Sequence, residues 1–99
     1  MSDFQDTLAK IDGVQVAWTY DTRGNIRSKT ISDYTDDILR EISTLLASLA
    51  FMHKKNSSTI SKLHYRFKNH QLWTFFDGEN YTALIADEDA MIAESMDGL

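Results

Sequence analysis

The sequence predicts an α+β fold built on a five-stranded, mostly antiparallel sheet, and three observations predict it. Apolar residues recur at every second position in several short runs, they recur every three to four positions in one long central run, and turn-forming residues separate the short runs. The resulting order is helix, strand, strand, long helix, strand, strand, strand, helix. Leu72 and Phe76 fall on one side of their strand and Trp73 and Phe75 on the other, so both sheet faces need cover. The long central helix is expected on one face and the short terminal helices on the other.

The first helix is expected over residues 3–11. Ser2 and Gln5 have capping-box spacing, Phe4, Leu8 and Ile11 share a face, and Gly13 suits a C-terminal stop. Val14, Val16, Trp18 and Tyr20 alternate with Gln15, Ala17 and Thr19, which is the period of a strand. Asp21-Thr22-Arg23-Gly24-Asn25 then supplies turn chemistry before a second strand from Ile26 to Ile31, completing a hairpin. Thr35 followed by Asp36 and Asp37 is a strong helix start, because the hydroxyl accepts an orphan amide and the acids complement the positive end of the helix dipole. Ile38, Ile42, Leu45, Leu49 and Met52 continue that helix at spacings of 4, 3, 4 and 3, with Leu39, Leu46 and Ala50 alongside, and Lys54 and Lys55 close it.

After a loop at Asn56-Ser57-Ser58-Thr59, Leu63, Tyr65 and Phe67 alternate with Lys62, His64, Arg66 and Lys68. Asn69-His70 turns into a strand from Gln71 to Phe76, and Asp77-Gly78-Glu79-Asn80 turns again into Tyr81 to Ala86. Asp87 or Asp89 can cap a last helix carrying Met91, Ile92, Met96 and Leu99.

Length and composition narrow the function classes. Ninety-nine residues make one domain, residues 1–99, and leave no room for an interdomain cleft. The chain has no cysteine, which excludes a disulfide framework, a thiolate zinc site and a cysteine nucleophile and suits a reducing compartment. No apolar run approaches the roughly 20 residues of a membrane span, and the first ten residues lack the plan of a signal peptide. A cytoplasmic protein with no membrane association is expected.

The net charge of -5 is unevenly distributed. Residues 1–52 carry -3, residues 53–70 carry +5 with all three histidines, and residues 71–99 carry -7. The basic segment is read either as a solvated face neutralised by the acidic remainder or as a patch for an acidic partner.

Two candidate surfaces emerge. The apolar arc of the long helix spans about 160°, more than the roughly 100° a helix on one sheet requires. The surplus, carried by Ile38, Ile42, Leu45, Leu49 and Met52, packs under a loop or makes a dimer interface with a partner helix. Lys62, His64, Arg66 and Lys68 should line one face of their strand, as protection for an edge, as a binding row for an acidic protein surface, or as a phosphate or nucleic-acid site. Tyr65 and Phe67 then point to the core, and the acidic remainder disfavours nucleic acid.

His53, His64 and His70 show no metal-ligand spacing, even with Asp87-Glu88-Asp89 nearby in sequence. No triad surrounds Ser57 and Ser58, and no glycine-rich phosphate loop is present. No catalytic residue, cofactor or metal is expected.

Ile11-Asp12-Gly13-Val14, the hairpin Trp18-Thr19-Tyr20-Asp21-Thr22-Arg23-Gly24-Asn25, the long helix from Asp36 to His53 and the closing Ala83-Leu84-Ile85-Ala86-Asp87 together resemble the Roadblock/LC7 family over most of residues 3–90. The resemblance implies a profilin-like α+β sandwich without catalytic residues. It also implies a homodimer or heterodimer that serves as scaffold for a Ras-like GTPase or for a motor component, with the strand after the long helix joined edge to edge. A profilin-like ligand or peptide sensor is the alternative, and a nucleic-acid binder using strand 62–68 a more distant one.

Overall fold

A computed structural model describes residues 3–30, 32–55, 62–76 and 81–96. The elements are α1 (Asp3–Ala9), β1 (Val14–Tyr20), β2 (Ile26–Lys29), α2 (Asp36–Lys55), β3 (Lys62–Phe67), β4 (His70–Phe76), β5 (Tyr81–Asp87) and α3 (Ile92–Met96). The strands form one antiparallel sheet in the order β2-β1-β5-β4-β3, so β2 and β3 are its edges. The element order and the two-sided cover are those expected. The expected loop at 56–59, the turn at 77–80, Ser2, Ile31, Asp97 and Leu99 lie outside the described residues, as do the side chains of His53, Lys54, Lys55 and Met96.

Strand alternation splits the core into two halves. Val16, Trp18, Tyr20, Leu72, Ala83 and Ile85 face α2 and bury Leu39, Leu46 and Ala47 of that helix. Ala17, Trp73, Leu84 and Ala86 face the other way, against Leu8 of α1 and Ile92 of α3. The helix begins where the sequence places it, with the Ile38 amide donating to the Thr35 hydroxyl at 3.3 Å and with Asp36 and Asp37 in its first turn. Polar staples cross each half. On the α2 side the Trp18 indole N–H donates to Ser43 Oγ at 2.7 Å, Ser43 donates in turn to the Leu39 carbonyl, and the Tyr20 and Thr74 hydroxyls bond at 2.6 Å. Burial holds the Tyr20 phenol above its ordinary pKa, so it stays protonated.

One expectation for α1 needs correction. The helix ends at Ala9, two residues early: the Lys10 and Ile11 amides bond the Thr7 and Leu8 carbonyls three positions back, and the chain then turns through Gly13 at φ +91°. The capping-box pairing of Gln5 with Ser2 lies outside the described residues; Gln5 itself is buried, and its Oε1 accepts from the hydroxyls of Thr19 and Ser28, both at 2.8 Å, tying α1 to β1 and β2.

The β1–β2 turn is fixed by Asp21, whose carboxylate accepts from the Arg23 and Asn25 amides at 2.8 and 3.0 Å. Gly24 sits in it with φ +87°, and a Cβ there would stand 2.7 Å from the Thr44 Cα and 2.8 Å from the Thr44 nitrogen. Both strain and collision with the α2 backbone act against any side chain. Gly24→Ala is therefore expected to lower stability by about 2 to 4 kcal/mol in denaturant unfolding. A loss below about 0.5 kcal/mol would mean that the turn and helix do not meet this closely.

Candidate interaction surface

The buried stripe of α2 is narrow. Leu39, Ser43, Leu46 and Ala47 lie on the sheet, while Ile42 and Leu49 are half-buried beside them and Ile38, Leu45 and Met52 are exposed at 45%, 62% and 59%. The five residues read as the surplus of the apolar arc thus form one flank, which leaves the sheet progressively for solvent. Phe51, 61% exposed, stands apart from that flank and borders an open groove with Thr22, Arg23, Ser48 and Tyr81.

Strand β3 carries the second surface. It pairs with β4 alone, in the register Lys62↔Phe75, His64↔Trp73, Tyr65↔Leu72 and Phe67↔His70, so its outer edge has no strand partner among the described residues. Lys62, His64 and Arg66 share the α1/α3 face with Phe75, Trp73 and Gln71, as alternation requires. Lys68 does not join them. It lies in the two-residue turn with φ 47°, one position earlier than the expected turn, so the row ends at Arg66. Among the described residues none of these cations makes an ion pair; the pair present is Lys29 with Asp36. Glu94 of α3 is exposed and unpaired with the row.

Tyr65 and Phe67 were expected in the core, and they are 37% and 43% exposed. The reason is positional: the buried residues of α2 cover β1, β5, β4 and Ile26 of β2, and the edge strand falls outside that footprint. Leu63, Tyr65 and Phe67 therefore lie on the α2 side of the sheet with no helix over them among the described residues. The exposed flank of α2 and the exposed aromatics of β3 share one side of the molecule.

On the opposite face, His64 stacks on Trp73 with ring centres 3.9 Å apart and planes 14° from parallel. Beside them Gln71, 2% exposed, is a polar hub that no sequence pattern singles out. Its Nε2 lies 3.0, 3.1 and 2.8 Å from the carbonyls of Asp87, Glu88 and Ala90, so that one of its two protons is shared between two of them, and its Oε1 accepts from Trp73 Nε1 at 3.0 Å. Carbonyls only accept and an indole N–H only donates, so the amide orientation is fixed. The contact between Gln71 Oε1 and His64 Nε2 at 3.1 Å then requires the proton on Nε2.

Burial lowers the His64 pKa below 6.5, the Gln71 bond raises it, Arg66 lowers it, and the net is downward. The folded chain therefore takes up this proton less readily than the unfolded chain. The contribution to stability is whole above pH 6.5 and is lost as pH falls through the lower folded midpoint. An NMR titration should show an Nε2–H tautomer at pH 7 and a midpoint below 6.5; an Nδ1–H tautomer or a midpoint at 6.5 or above would refute this network.

Among the described residues no three His, Asp or Glu side chains gather as a metal site, and no helix is long and apolar enough to cross a membrane.

No family model and no curated protein matches the sequence. Solved structures do match the fold. A Roadblock/LC7 domain from Streptomyces avermitilis superposes with a TM-score of 0.74 at 12% identity, covering 91% of this chain and 79% of that one. MglB of Myxococcus xanthus gives 0.74 at 12% identity, covering 99% and 89%. An MglB structure with a tetrameric arrangement gives 0.74 at 16% identity, covering 92% and 72%. With its open five-stranded sheet, α2 on one face and α1 and α3 on the other, the chain has a Roadblock/LC7-like fold.

Proposed function

We propose that the chain acts by binding, as a homodimer in the cytoplasm that presents a platform to a Ras-like GTPase or to another acidic assembly component. The observation that carries this reading is the shared side of the molecule on which the apolar flank of α2 and the aromatics of an edge strand, unpaired on its outer side among the described residues, both reach solvent. Exposed apolar surface of this extent marks a protein interface. The tetrameric arrangement of one matched MglB supports self-association, and the lack of cysteine supports a reducing compartment. The basic row adds association rate and salt dependence toward an acidic partner, since exposed charges steer encounters more than they hold complexes.

The purified chain should scatter light as a dimer at micromolar concentration and hydrolyse no nucleotide. Immobilised on a resin, it should retain a small GTPase from lysate of its own host. Light scattering from a monomer, recovery of nucleic acid alone, or turnover by the isolated chain would each overturn this reading.

A further inference from the structure

The alternation of β3 has a consequence for its pairing with a second copy. Side chains directly opposite in an antiparallel pair share a face, so a two-fold axis perpendicular to the sheet pairs even-numbered residues only with even and odd only with odd. This holds in every register that keeps both α2 helices on one side. Leu63, Tyr65 and Phe67 then meet their own kind on the α2 face, where the exposure of Tyr65 and Phe67 calls for cover. Lys62, His64 and Arg66 meet their own kind on the other face, at cross-strand separations of about 5 Å. The apolar seam favours the dimer, and the cationic seam opposes it.

Resting on the dimer reading, we propose that this cationic seam is a binding site for an acidic polypeptide segment, formed by Lys62 and Arg66 of both copies. No acid among the described residues neutralises either side chain within the monomer. The row from Lys62 to Arg66 is about 13 Å long at a strand rise of roughly 3.3 Å, a length that a short extended segment matches. A long polyanion such as nucleic acid would continue past the row onto a face where α3 presents Glu94 within a segment, residues 71–99, of seven acids and no base. Site and dimer are coupled: the ligand relieves the repulsion, and dimerisation doubles the charge that the ligand meets, so each strengthens the other by the same factor.

Sedimentation of the full chain tests this. Without ligand, added salt should tighten the dimer, because it screens like charges. Poly-glutamate should tighten it about tenfold at low salt, the scale of a few relieved like-charge pairs, and poly-lysine should not. The double variant Lys62→Gln/Arg66→Gln should dimerise more tightly than the parent and lose the response to poly-glutamate. A dimer indifferent to poly-glutamate, a double variant that dimerises like the parent, or a larger response to a single-stranded oligonucleotide would overturn the site while leaving the dimer standing. A chain that stays monomeric under all of these conditions would remove both.

Discussion

Leu45→Asp should turn the proposed dimer into a monomer while leaving the fold intact. Leu45 is the most exposed of the five apolar residues on the α2 flank, so a carboxylate there faces water in the free chain and costs it little. In a dimer closed through that flank the same carboxylate would be buried without a partner, at a cost of several kcal/mol, or more than a hundredfold in the dimerisation constant. Leu49, another residue of that flank, is half-buried in the monomer and would confound loss of dimer with loss of fold. Ser48→Asp, exposed on the outer face of the helix, is the matched control. Light scattering should separate the two variants, and equal dimer fractions for both would exclude this flank from the interface.

Gln71→Leu should cost about 3 to 5 kcal/mol of stability, the largest loss expected from one side chain here. The leucine keeps the volume but removes a donor shared by three carbonyls and the acceptor for Trp73 Nε1 and His64. Each buried group left without a partner adds to the loss. Against a total of about 5 to 15 kcal/mol for a typical domain, such a variant should be half-unfolded at a much lower denaturant concentration. His64→Ala, which removes the stack on Trp73 and one part-buried hydrogen bond of an exposed side chain, should cost far less. If the two variants lose equal stability, the hub does not hold the β5–α3 turn.

Both expectations depend on features of unequal legibility in the sequence. The hairpin and the long helix could be read because their signals are local: the alternation from Val14 to Tyr20, the carboxylate of Asp21 followed by Gly24, and Thr35 ahead of two acids each act within a few residues. The division of β3 into a basic and an aromatic face followed from alternation alone. What alternation could not convey was how far α2 reaches, and that distance decides whether Tyr65 and Phe67 are core or surface. Lys68 left the row because a two-residue turn begins one position earlier than Asn69 suggested. Gln5 and Gln71 were obscure for a different reason. Their partners lie 14 and 23 positions away for Gln5, and 16 to 19 away for the main-chain partners of Gln71, so only the assembled sheet shows what they bond.

The strand order also governs how the chain reaches this state. The central strand of the sheet is β5, between β1 and β4, and the Gln15–Asp87 contact between β1 and β5 spans 72 positions. The two peripheral hairpins, β1 with β2 and β3 with β4, can close early on the strength of short loops. They remain separate ribbons, with Trp18 and Trp73 uncovered, until β5 is inserted between them. If the two ribbons close before that strand docks, Tyr81–Asp87 must enter a slot between two open edges, the arrangement in which pairing with a foreign strand would do most damage.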